Sequence, residues 1–260
     1  MSAGLVGRAL GVLEHMADER GGVSLQALAD RRQMPVASMH RLLAELSQLG
    51  YVRQLRDNQR YVLTTKLISL GFQCLSANGL ADMVQPVLDN LARISRELVR
   101  LAVVDDERLT WVAKAQGAVA GLRYDPDMGR EAKLFCTASG QAWLSSLPDA
   151  EALRIATKQG FGKPEDHGTR APKDTTELLN CLRETRSRGY AVVVDSAAVG
   201  TAALGAAIVR PTDRVVVGTV SIAGPSARLD SRRMAEITPA LLHAAAELAP
   251  AGQFIEFFQQ

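Results

Sequence analysis

Cysteine and histidine are scarce in this chain of 260 residues, which contains three of the first and four of the second. The cysteines, Cys74, Cys136 and Cys181, are odd in number, lie far apart and form no Cys-x-x-Cys pair. This spacing argues against a disulfide framework and against a structural zinc site, and it is typical of proteins kept in a reducing compartment. We therefore expect a cytoplasmic protein without a metal site.

Long apolar runs are also missing. No segment approaches the roughly 20 consecutive apolar residues that a helix needs to span a bilayer. The N-terminus lacks the order of basic, apolar and small residues that marks a secretion signal. We expect no membrane partner. With 47% hydrophobic and 22% charged residues, the composition is that of an ordinary globular protein of one or two domains.

Sequence motifs of common catalytic and cofactor sites are absent too. The chain has no Gly-x-Ser-x-Gly elbow, no His-Glu-x-x-His helix and no P-loop, because two alanines follow the glycine-spaced segment at residues 200–205. Three of the histidines, His15, His167 and His243, have no evident catalytic partner. Cys136 precedes a predicted helix, whose dipole could lower the pKa of the thiol, but a buried structural cysteine is the simpler interpretation. We expect no catalytic residue and no cofactor.

The most informative segment that is present, residues 24–46, predicts two short helices joined by a tight turn. Ser24 is a good N-cap for the first helix, and Pro35 suits the first turn of the second. Apolar residues recur at helical spacing in the second helix and predict a buried face. They are Met39, Leu42, Leu43, Leu46 and Leu49. Gly50 follows where a helix can close in the left-handed conformation.

The opposite face of this second helix carries small, hydroxyl and basic residues near its N-terminal end. They are Val36, Ala37, Ser38, His40 and Arg41. A helix that buries its rear and presents such groups at its front suits the major groove of DNA. Two amphipathic helices with a turn also occur in many all-α domains, so these residues alone leave both interpretations open.

The next segment favours DNA binding. Residues 51–54 and 60–63 have the composition of short strands around a polar hairpin tip. The basic residues of this hairpin are Arg53, Arg56 and Arg60. A basic hairpin after the second helix has the form of a wing, whose arginines can reach phosphates or the minor groove. With a further amphipathic helix upstream, residues 1–64 predict a winged helix-turn-helix domain.

The small positive charge of the chain is concentrated in this N-terminal quarter. Residues 1–66 contain nine lysines and arginines against six acidic residues, whereas the remaining residues contain 21 against 22. An excess of this size is small for a DNA-binding surface. We therefore expect one module to contact few phosphates and to need a second copy for useful affinity.

Two more amphipathic helices are predicted after the hairpin, at residues 66–75 and 80–98, with an interruption at residues 76–79. Pro86 lies inside the second, where proline either kinks a helix or marks its true start. We interpret residues 65–80 as a linker helix. Such a helix either carries a dimer contact or belongs within a domain.

Residues 81–255 predict an α+β domain with an antiparallel sheet, because strand pairs alternate with helices without a repeating strand–helix–strand unit. Strands are expected at residues 99–104, 109–115, 190–195, 201–209 and 215–223, the last two as a hairpin. Helices are expected at residues 137–147, 149–158, 175–188 and 230–248.

Four segments of the chain resemble one family. Met34-Pro-Val-Ala-Ser-Met-His-Arg-Leu-Leu-Ala-Glu-Leu-Ser-Gln-Leu-Gly-Tyr-Val52 resembles the recognition helix and first wing strand of the IclR-type bacterial transcriptional regulators. Three later segments match the family in order, and they are Thr137-Ala-Ser-Gly-Gln-Ala-Trp-Leu, Arg186-Ser-Arg-Gly-Tyr190 and Val220-Ser-Ile-Ala-Gly-Pro225. This resemblance covers nearly the whole chain.

The resemblance implies a winged helix-turn-helix joined to a GAF-like effector-binding domain in a homodimer or homotetramer. Its partners would be double-stranded operator DNA and a small-molecule effector, usually a carbon-source metabolite or an aromatic acid. Base and backbone contacts are implied for Ser38, His40 and Arg41. Arg41 could bond a guanine edge or clamp a phosphate, and the sequence leaves both open.

The resemblance also implies where the effector binds. Backbone N–H groups at the start of the helix at Ser139 and Gly140 are suited to a carboxylate, and Ser221 lies where the family often places a ligand-binding hydroxyl. The candidate effector-binding residues are Met128, Leu134, Ala138, Ser139, Gly140, Val193, Asp195, Ala203, Leu204, Ser221 and Ala223.

The chain departs from family members that bind small oxo-acids. Those members tend to carry an acidic cluster, a cysteine and a Ser-x-Ser motif where this chain has Val193-Val194-Asp195, Ala203-Leu204 and Ser221-Ile-Ala223. Aliphatic groups thus replace polar ones, which predicts an aromatic or otherwise apolar carboxylate rather than glyoxylate or pyruvate. A pocket that binds nothing, an enzyme with an accessory DNA-binding module and an architectural DNA-binding protein are the alternatives. Repression and activation are not distinguished.

Overall fold

The computed structural model describes residues 4–19, 21–77, 80–126 and 128–251. The chain divides into two compact units, Met1–Asn78 and Gly79–Gln260. The first unit contains helices and a two-stranded hairpin, and the second contains a five-stranded sheet with helices. The predicted α+β class is confirmed. No helix in the described ranges is long and apolar enough to cross a bilayer.

Three helices form the predicted helix-turn-helix with its supporting helix. They are α1 (Leu5–Ala17), α2 (Leu25–Arg31) and α3 (Val36–Gln48). As predicted, Ser24 caps α2, and its hydroxyl accepts a hydrogen bond of 3.2 Å from the Ala27 amide. Pro35 occupies the N-cap position of α3. Gly50 follows α3 with a φ of 79°, the left-handed conformation that the sequence predicted.

The predicted wing is also present, as strands β1 (Val52–Gln54) and β2 (Tyr61–Leu63) pair antiparallel. One apolar cluster joins the hairpin to the three helices, and its buried members include Val12, Leu13, Met16, Leu28, Met39, Leu42, Leu43, Leu46, Val52 and Tyr61. Each large side chain removed from water contributes about 1.5–3 kcal/mol, so this cluster fixes which face of α3 points outward. Leu5, at the start of α1, is exposed, because the cluster extends along α1 only from Ala9 to Met16.

Helix α4 (Thr65–Ala77) follows the hairpin, and α5 (Leu80–Ser95) begins the second unit. The prediction of a helix to residue 98 is wrong, because Arg96 adopts a left-handed φ of 58° that ends α5. Pro86 lies inside α5 and does not mark its start. A proline inside a helix costs about 3 kcal/mol or more, which burial of the apolar face of α5 at residues such as Leu88 offsets.

Five antiparallel strands form the sheet of the second unit. They are β3 (Leu98–Asp105), β4 (Arg108–Gln116), β5 (Ala191–Val194), β6 (Thr201–Val209) and β7 (Val216–Pro225). Their order across the sheet is β4-β3-β7-β6-β5. The predicted hairpin of β6 and β7 is confirmed, and β3 and β4 pair as a second hairpin. Strand β5 is shorter than the predicted residues 190–195, since Asp195 has a left-handed φ of 51°.

The register of the sheet aligns several candidate residues. Arg100 lies opposite Ser221, and Ala203 lies opposite both Val193 and Ala223. Directly opposed residues share one face of a sheet, and so do residues two positions apart in one strand. All five side chains therefore project from the same face.

Helices cover both faces of this sheet, as the complete burial of β7 requires. The remaining helices are α6 (Ala138–Leu144), α7 (Asp149–Gln159), α8 (Thr175–Arg188) and α9 (Ser231–Leu248). Helix α6 packs on β6 and β7 at the face that carries Ala203, and α5 and α9 pack on the other. The prediction of a helix to residue 147 is wrong, because α6 ends at Leu144, where the Ser145 and Ser146 hydroxyls donate to carbonyls within its last turn.

Candidate nucleic-acid interface and ligand cavity

The five residues predicted as DNA contacts on α3 lie away from its core face. Val36, Ala37, His40 and Arg41 are exposed, and Ser38 is half-buried. The Pro35 carbonyl accepts hydrogen bonds from the amides of Ser38 and Met39 at 2.9 and 3.0 Å. The first turn of α3, from which these side chains project, is therefore held by backbone hydrogen bonds. Small, hydroxyl and basic groups meet at one helix end, as the sequence predicted.

The three arginines of the wing differ in whether their guanidinium groups bond to the protein. Arg53 and Arg56 are exposed. Arg60 is exposed as well, but its guanidinium donates a hydrogen bond of 3.3 Å to the Gly22 carbonyl and is thus held against the loop before α2. At the tip, the side-chain amide of Gln54 donates to the Gln59 carbonyl at 2.9 Å and ties the two strands together. Arg53 and Arg56 are the better placed of the three to meet phosphates.

A ligand-sized cavity of about 470 Å³ lies in the second unit. Its walls include Arg100, Trp111, Tyr124, Cys136 and Thr137. It adjoins a crevice of about 20 Å³ that also reaches Arg100, Tyr124 and Thr137. Because the two spaces share these walls, we treat them as one site with an outer chamber and an inner crevice.

Six of the predicted effector-binding residues line the inner crevice. They are Ala138, Ser139, Val193, Ala203, Ser221 and Ala223. The sheet register explains this convergence, because residues of β5, β6 and β7 on one face meet the start of α6. The sequence thus identified the floor of the site but not its walls.

The other five predicted residues do not line the cavity or the crevice. Leu134 is fully buried in the apolar core, and Gly140 packs on the Leu134 backbone, where an added Cβ would lie 2.3 Å from the carbonyl oxygen. Leu204 points from the opposite face of the sheet, because it alternates with Ala203. The Asp195 carboxylate accepts a hydrogen bond of 2.7 Å from the Gly200 amide. Met128 packs against the core.

At the start of α6, where the resemblance implied a carboxylate site, one of the backbone amides is already bonded within the protein. The Gly140 amide already donates to the Thr137 hydroxyl at 3.1 Å, and that hydroxyl in turn donates to the Lys133 carbonyl at 2.7 Å. Thr137 is therefore the N-cap of this short helix. A ligand carboxylate would have to displace it to reach the Gly140 N–H.

Arg100 is the main residue of the site that sequence reasoning missed. It is only 5% exposed, and its guanidinium carbon lies 3.8 Å from the centroid of the Trp111 ring. Burial lowers the pKa of Arg100 from its ordinary value, and nearby Tyr124 and Asp125 oppose that shift. Arginine nevertheless remains protonated at neutral pH. The available signal was that Arg100 is the one charged residue in the otherwise apolar sequence from Leu98 to Val104.

Several polar side-chain atoms of the second unit are buried without a hydrogen-bond partner among the described residues. They are Arg100 Nε, Trp111 Nε1, Ser196 Oγ, Thr219 Oγ1 and Ser221 Oγ. An unpaired buried polar group costs about 1–3 kcal/mol. Three of them, on Arg100, Trp111 and Ser221, belong to residues that line the cavity or the crevice. The site therefore offers donors for a ligand with oxygen acceptors.

Two further contacts hold the segment that bears Tyr124 and Asp125 over the cavity. Arg228 donates to the Leu122 carbonyl at 2.9 Å while it pairs with the buried Glu97. Lys114 pairs with the Asp125 carboxylate at 2.6 Å. This part of the cavity wall is fastened to the protein from two sides.

Cys136 is a structural residue of the cavity wall, as the sequence predicted. It is fully buried, and burial raises the pKa of its thiol to about 12. At neutral pH such a thiol stays protonated and is a poor nucleophile. Within the described ranges, no three His, Cys, Asp or Glu side chains are grouped so that they could hold a metal ion.

A larger cavity, of about 740 Å³, lies near the β3–β4 turn and is lined by acidic residues that include Asp106 and Glu107. It contains none of the predicted effector-binding residues. The Glu107 carboxylate already pairs with Arg154 at 2.6 Å and with Lys158 at 2.5 Å. The smaller cavity is the better candidate, because unsatisfied donors project toward it.

Comparison with known proteins covers both units. Residues 5–56 match the model of the IclR helix-turn-helix domain, and residues 72–249 match that of the bacterial transcriptional regulator IclR C-terminal domain. The chain is 28% identical over 243 residues to the transcriptional repressor IclR of Escherichia coli K12, covering 93% of this chain and 87% of that protein.

Solved structures have the same fold. An IclR transcriptional regulator from Alicyclobacillus acidocaldarius aligns with a TM-score of 0.83 at 20% identity, covering 97% of this chain and 100% of that one. An IclR homolog complexed with 4-hydroxybenzoate, from Microbacterium hydrocarbonoxydans, aligns with a TM-score of 0.77 at 18% identity, covering 96% and 99%.

Proposed function

The chain belongs to the IclR family of bacterial transcriptional regulators, and from this premise we propose that an aromatic or apolar carboxylate controls its binding to operator DNA. Members of this family are transcriptional regulators with an effector-binding C-terminal domain, and they are not enzymes. Two properties are specific to each member, namely the surface that contacts operator DNA and the ligand that changes the affinity for DNA.

We assign DNA reading to α3 and the wing. The proposed contacts are Val36, Ala37, Ser38, His40, Arg41, Arg53, Arg56 and Arg60. The exposed end of α3 would enter the major groove, and the wing would contact the adjacent backbone. The modest charge of one unit supports binding as a homodimer or homotetramer, since each copy adds its own phosphate contacts.

Exposed apolar side chains support self-association. Leu5, Val6 and Leu10 of α1 are 64%, 72% and 53% exposed, and Ile68 and Phe72 of α4 are 59% and 63% exposed. Clusters of exposed apolar residues commonly mark protein–protein contacts. We propose that these two helices carry contacts between copies.

The observation that carries the effector proposal is the convergence of six predicted residues on one crevice beside the cavity of about 470 Å³. That volume lies within the roughly 300–1,000 Å³ range of small-molecule sites. Trp111, Tyr124 and Pro126 give the cavity an apolar wall that a ring can cover and that a small polar acid would leave unfilled. The structural neighbour bound to 4-hydroxybenzoate supports an aromatic acid as the first probe.

The test combines a thermal-shift screen with DNA binding. Benzoate, 4-hydroxybenzoate, phenylacetate, glyoxylate and pyruvate are added to the full chain, and duplexes selected from a random-sequence library serve as operator. A ligand that binds only the folded state raises the melting temperature by mass action. We expect selective shifts from aromatic acids and a change in operator affinity of about 5–150-fold.

Two results would contradict this proposal. Tight binding of glyoxylate or pyruvate, measured by calorimetry, would exclude the apolar-acid class. Aromatic acids that bind without changing operator affinity would separate the cavity from regulation, because linkage requires the effector and DNA to influence each other equally.

A further inference from the structure

We propose that Arg100 binds the carboxylate of the effector, with Ser221 beside it and the ligand body in the outer chamber against Trp111 and Tyr124. This inference rests on the effector half of the proposed function. It replaces the start of α6 with a residue of the sheet as the anchor for the acid group.

The first argument is the buried charge of Arg100, which has no ion-pair partner among the described residues and which nearby Tyr124 and Asp125 offset only in part. Burying an unpaired cation costs several kcal/mol in real proteins. The Trp111 ring, 3.8 Å from the guanidinium carbon, compensates one face of the guanidinium. Among the described residues, none forms an ion pair with Arg100, and the nearby Asp125 pairs with Lys114 instead. An anion in the cavity would supply the missing partner.

The second argument is hydrogen bonding. Arg100 Nε and Ser221 Oγ are both buried and without a partner in the described structure. These two residues lie directly opposite each other on β3 and β7. Opposed side chains on one sheet face have Cβ atoms about 4.5–5.5 Å apart. A single carboxylate between them could accept from both, and arginine donates to carboxylates in a planar, often two-pronged geometry.

The third argument is space. The inner crevice of about 20 Å³ is large enough for one water or one ligand oxygen, but not for an aromatic ring. The outer chamber of about 470 Å³ accommodates the ring, and Trp111, Tyr124 and Pro126 in its wall provide apolar surface. The acid group therefore points inward to Arg100 and Ser221, and the ring points outward.

Lys133 provides a contrast within the same cavity. Its side chain is exposed, and its ammonium donates a hydrogen bond of 2.5 Å to the Asp166 carbonyl. Charges in contact with solvent contribute little to binding because water and salt screen them. Lys133 is therefore a matched control, since it is a cation at the cavity that we do not expect to select the acid.

The experiment compares acids with their uncharged amides. Calorimetry measures the binding of 4-hydroxybenzoate and 4-hydroxybenzamide, and of benzoate and benzamide, to the full-length wild type, R100M, R100K and K133M. Hydrogen bonds to charged groups contribute roughly 1.5–3 kcal/mol, so we expect the wild type to prefer acid over amide by about 10–100-fold. R100M should reduce this preference to within about 3-fold, R100K should reduce it partly, and K133M should retain it.

The ratio of acid affinity to amide affinity distinguishes a role of Arg100 in recognising the carboxylate from a structural role. A merely structural role of Arg100 would weaken acid and amide alike and leave their ratio unchanged. R100M keeps a long apolar side chain over Trp111, and removing an unpaired buried charge is often neutral or stabilising, so we expect an unliganded melting temperature no lower than that of the wild type. If R100M does not fold, the same ratio is measured for R100Q.

The outcomes distinguish this inference from the function on which it rests. Acid preference that survives in R100M or R100Q would overturn the role of Arg100 and leave the aromatic-acid proposal intact. Absence of acid binding by the wild type would overturn both, while selection of an operator would still establish DNA binding.

Discussion

Two buried charged residues that lie three positions apart in the chain, Glu97 and Arg100, differ in whether they have an ion-pair partner. Glu97 is 2% exposed and receives two hydrogen bonds from Arg228, at 2.6 and 2.9 Å. Arg100, three residues later, is 5% exposed and lacks an ion-pair partner among the described residues. A buried charge with an ion-pair partner is consistent with a structural role, whereas one that lacks such a partner and lines a cavity is a candidate for ligand binding.

We expect substitution of Glu97, which does not itself line the cavity or the crevice, to destabilise the protein. E97Q removes the charge that Arg228 faces and weakens the contact that holds the Leu122 carbonyl, so the free energy of unfolding should fall by about 2–3 kcal/mol. Urea denaturation followed by tryptophan fluorescence measures this, since both tryptophans of the chain lie in the second unit.

The control for this prediction is E107Q. Glu107 pairs with two cations, Arg154 and Lys158, but on the surface of the protein. Exposed ion pairs are screened and add little stability. E107Q should leave the denaturation midpoint nearly unchanged, and an equal effect of the two substitutions would show that burial of Glu97 is not the cause.

At the scale of elements, helix ends were predictable where their cause is local. Ser24 caps α2, and Gly50 follows α3 in the left-handed conformation, as the sequence indicated. The end of α5 was not predictable, because Arg96 adopts a left-handed φ of 58° without being a residue that favours it. The strand that begins at Leu98 requires this reversal, and pairing with β4 and β7 stabilises it.

Two helical glycines should respond in opposite ways to alanine. At Gly140, a Cβ would lie 2.3 and 2.4 Å from backbone atoms of Leu134. G140A should therefore cost about 1–3 kcal/mol. Gly71 in α4 has no atom within 4 Å of the added Cβ. G71A should add about 0.5–1 kcal/mol, because alanine loses less backbone freedom in a helix.

Urea denaturation distinguishes the two substitutions. Tryptophan fluorescence follows the second unit for G140A, and circular dichroism at the helical band follows the loss of helix for G71A. Destabilisation by G71A would indicate that a partner copy packs against this face of α4. A neutral G140A would mean that the close approach of α6 to Leu134 is not required for folding.

At the scale of the whole molecule, regulation requires that a ligand in one unit alter DNA binding by the other. A ligand can shift this equilibrium only by the difference in its affinity for the two states of the protein. Repression and activation both satisfy this condition. In an oligomer, each copy that binds DNA repeats the same proposed phosphate contacts. The salt dependence of affinity therefore reports how many copies are bound.

Removal of the Arg56 charge should show how many copies of the protein contact a phosphate through this residue. Each phosphate contact contributes about 0.9 to the slope of log affinity against log salt concentration. If Arg56 contacts a phosphate in both copies of a bound dimer, R56M should reduce the slope by about 1.8. Fluorescence anisotropy with a selected operator across a salt series measures it.

K158M is the matched control, since it removes an equal charge from α7 in the second unit. A slope that falls by about 0.9 in R56M would mean that one copy engages the backbone through Arg56. An unchanged slope would exclude Arg56 as a phosphate contact.

The sequence alone determined the properties that depend on local periodicity and motifs. The alternation of core and exposed residues along α3 defined the exposed face that we propose reads DNA, and the strand patterns predicted the wing and the hairpin of β6 and β7. The segments at Thr137 and Val220 identified the family. Such features can be read from a chain because helical and strand periods are intrinsic to the backbone.

Only the tertiary structure decided which groups meet at the cavity. Register places Arg100 opposite Ser221, although more than 100 residues separate them in the chain, and it directs Leu204 to the wrong face for ligand binding. The Gly140 amide, one of those that the resemblance assigned to a carboxylate, already donates a hydrogen bond to the Thr137 hydroxyl. These outcomes depend on long-range pairing and on which polar atoms remain unsatisfied after folding, and both are set by the packed structure instead of by neighbours in sequence.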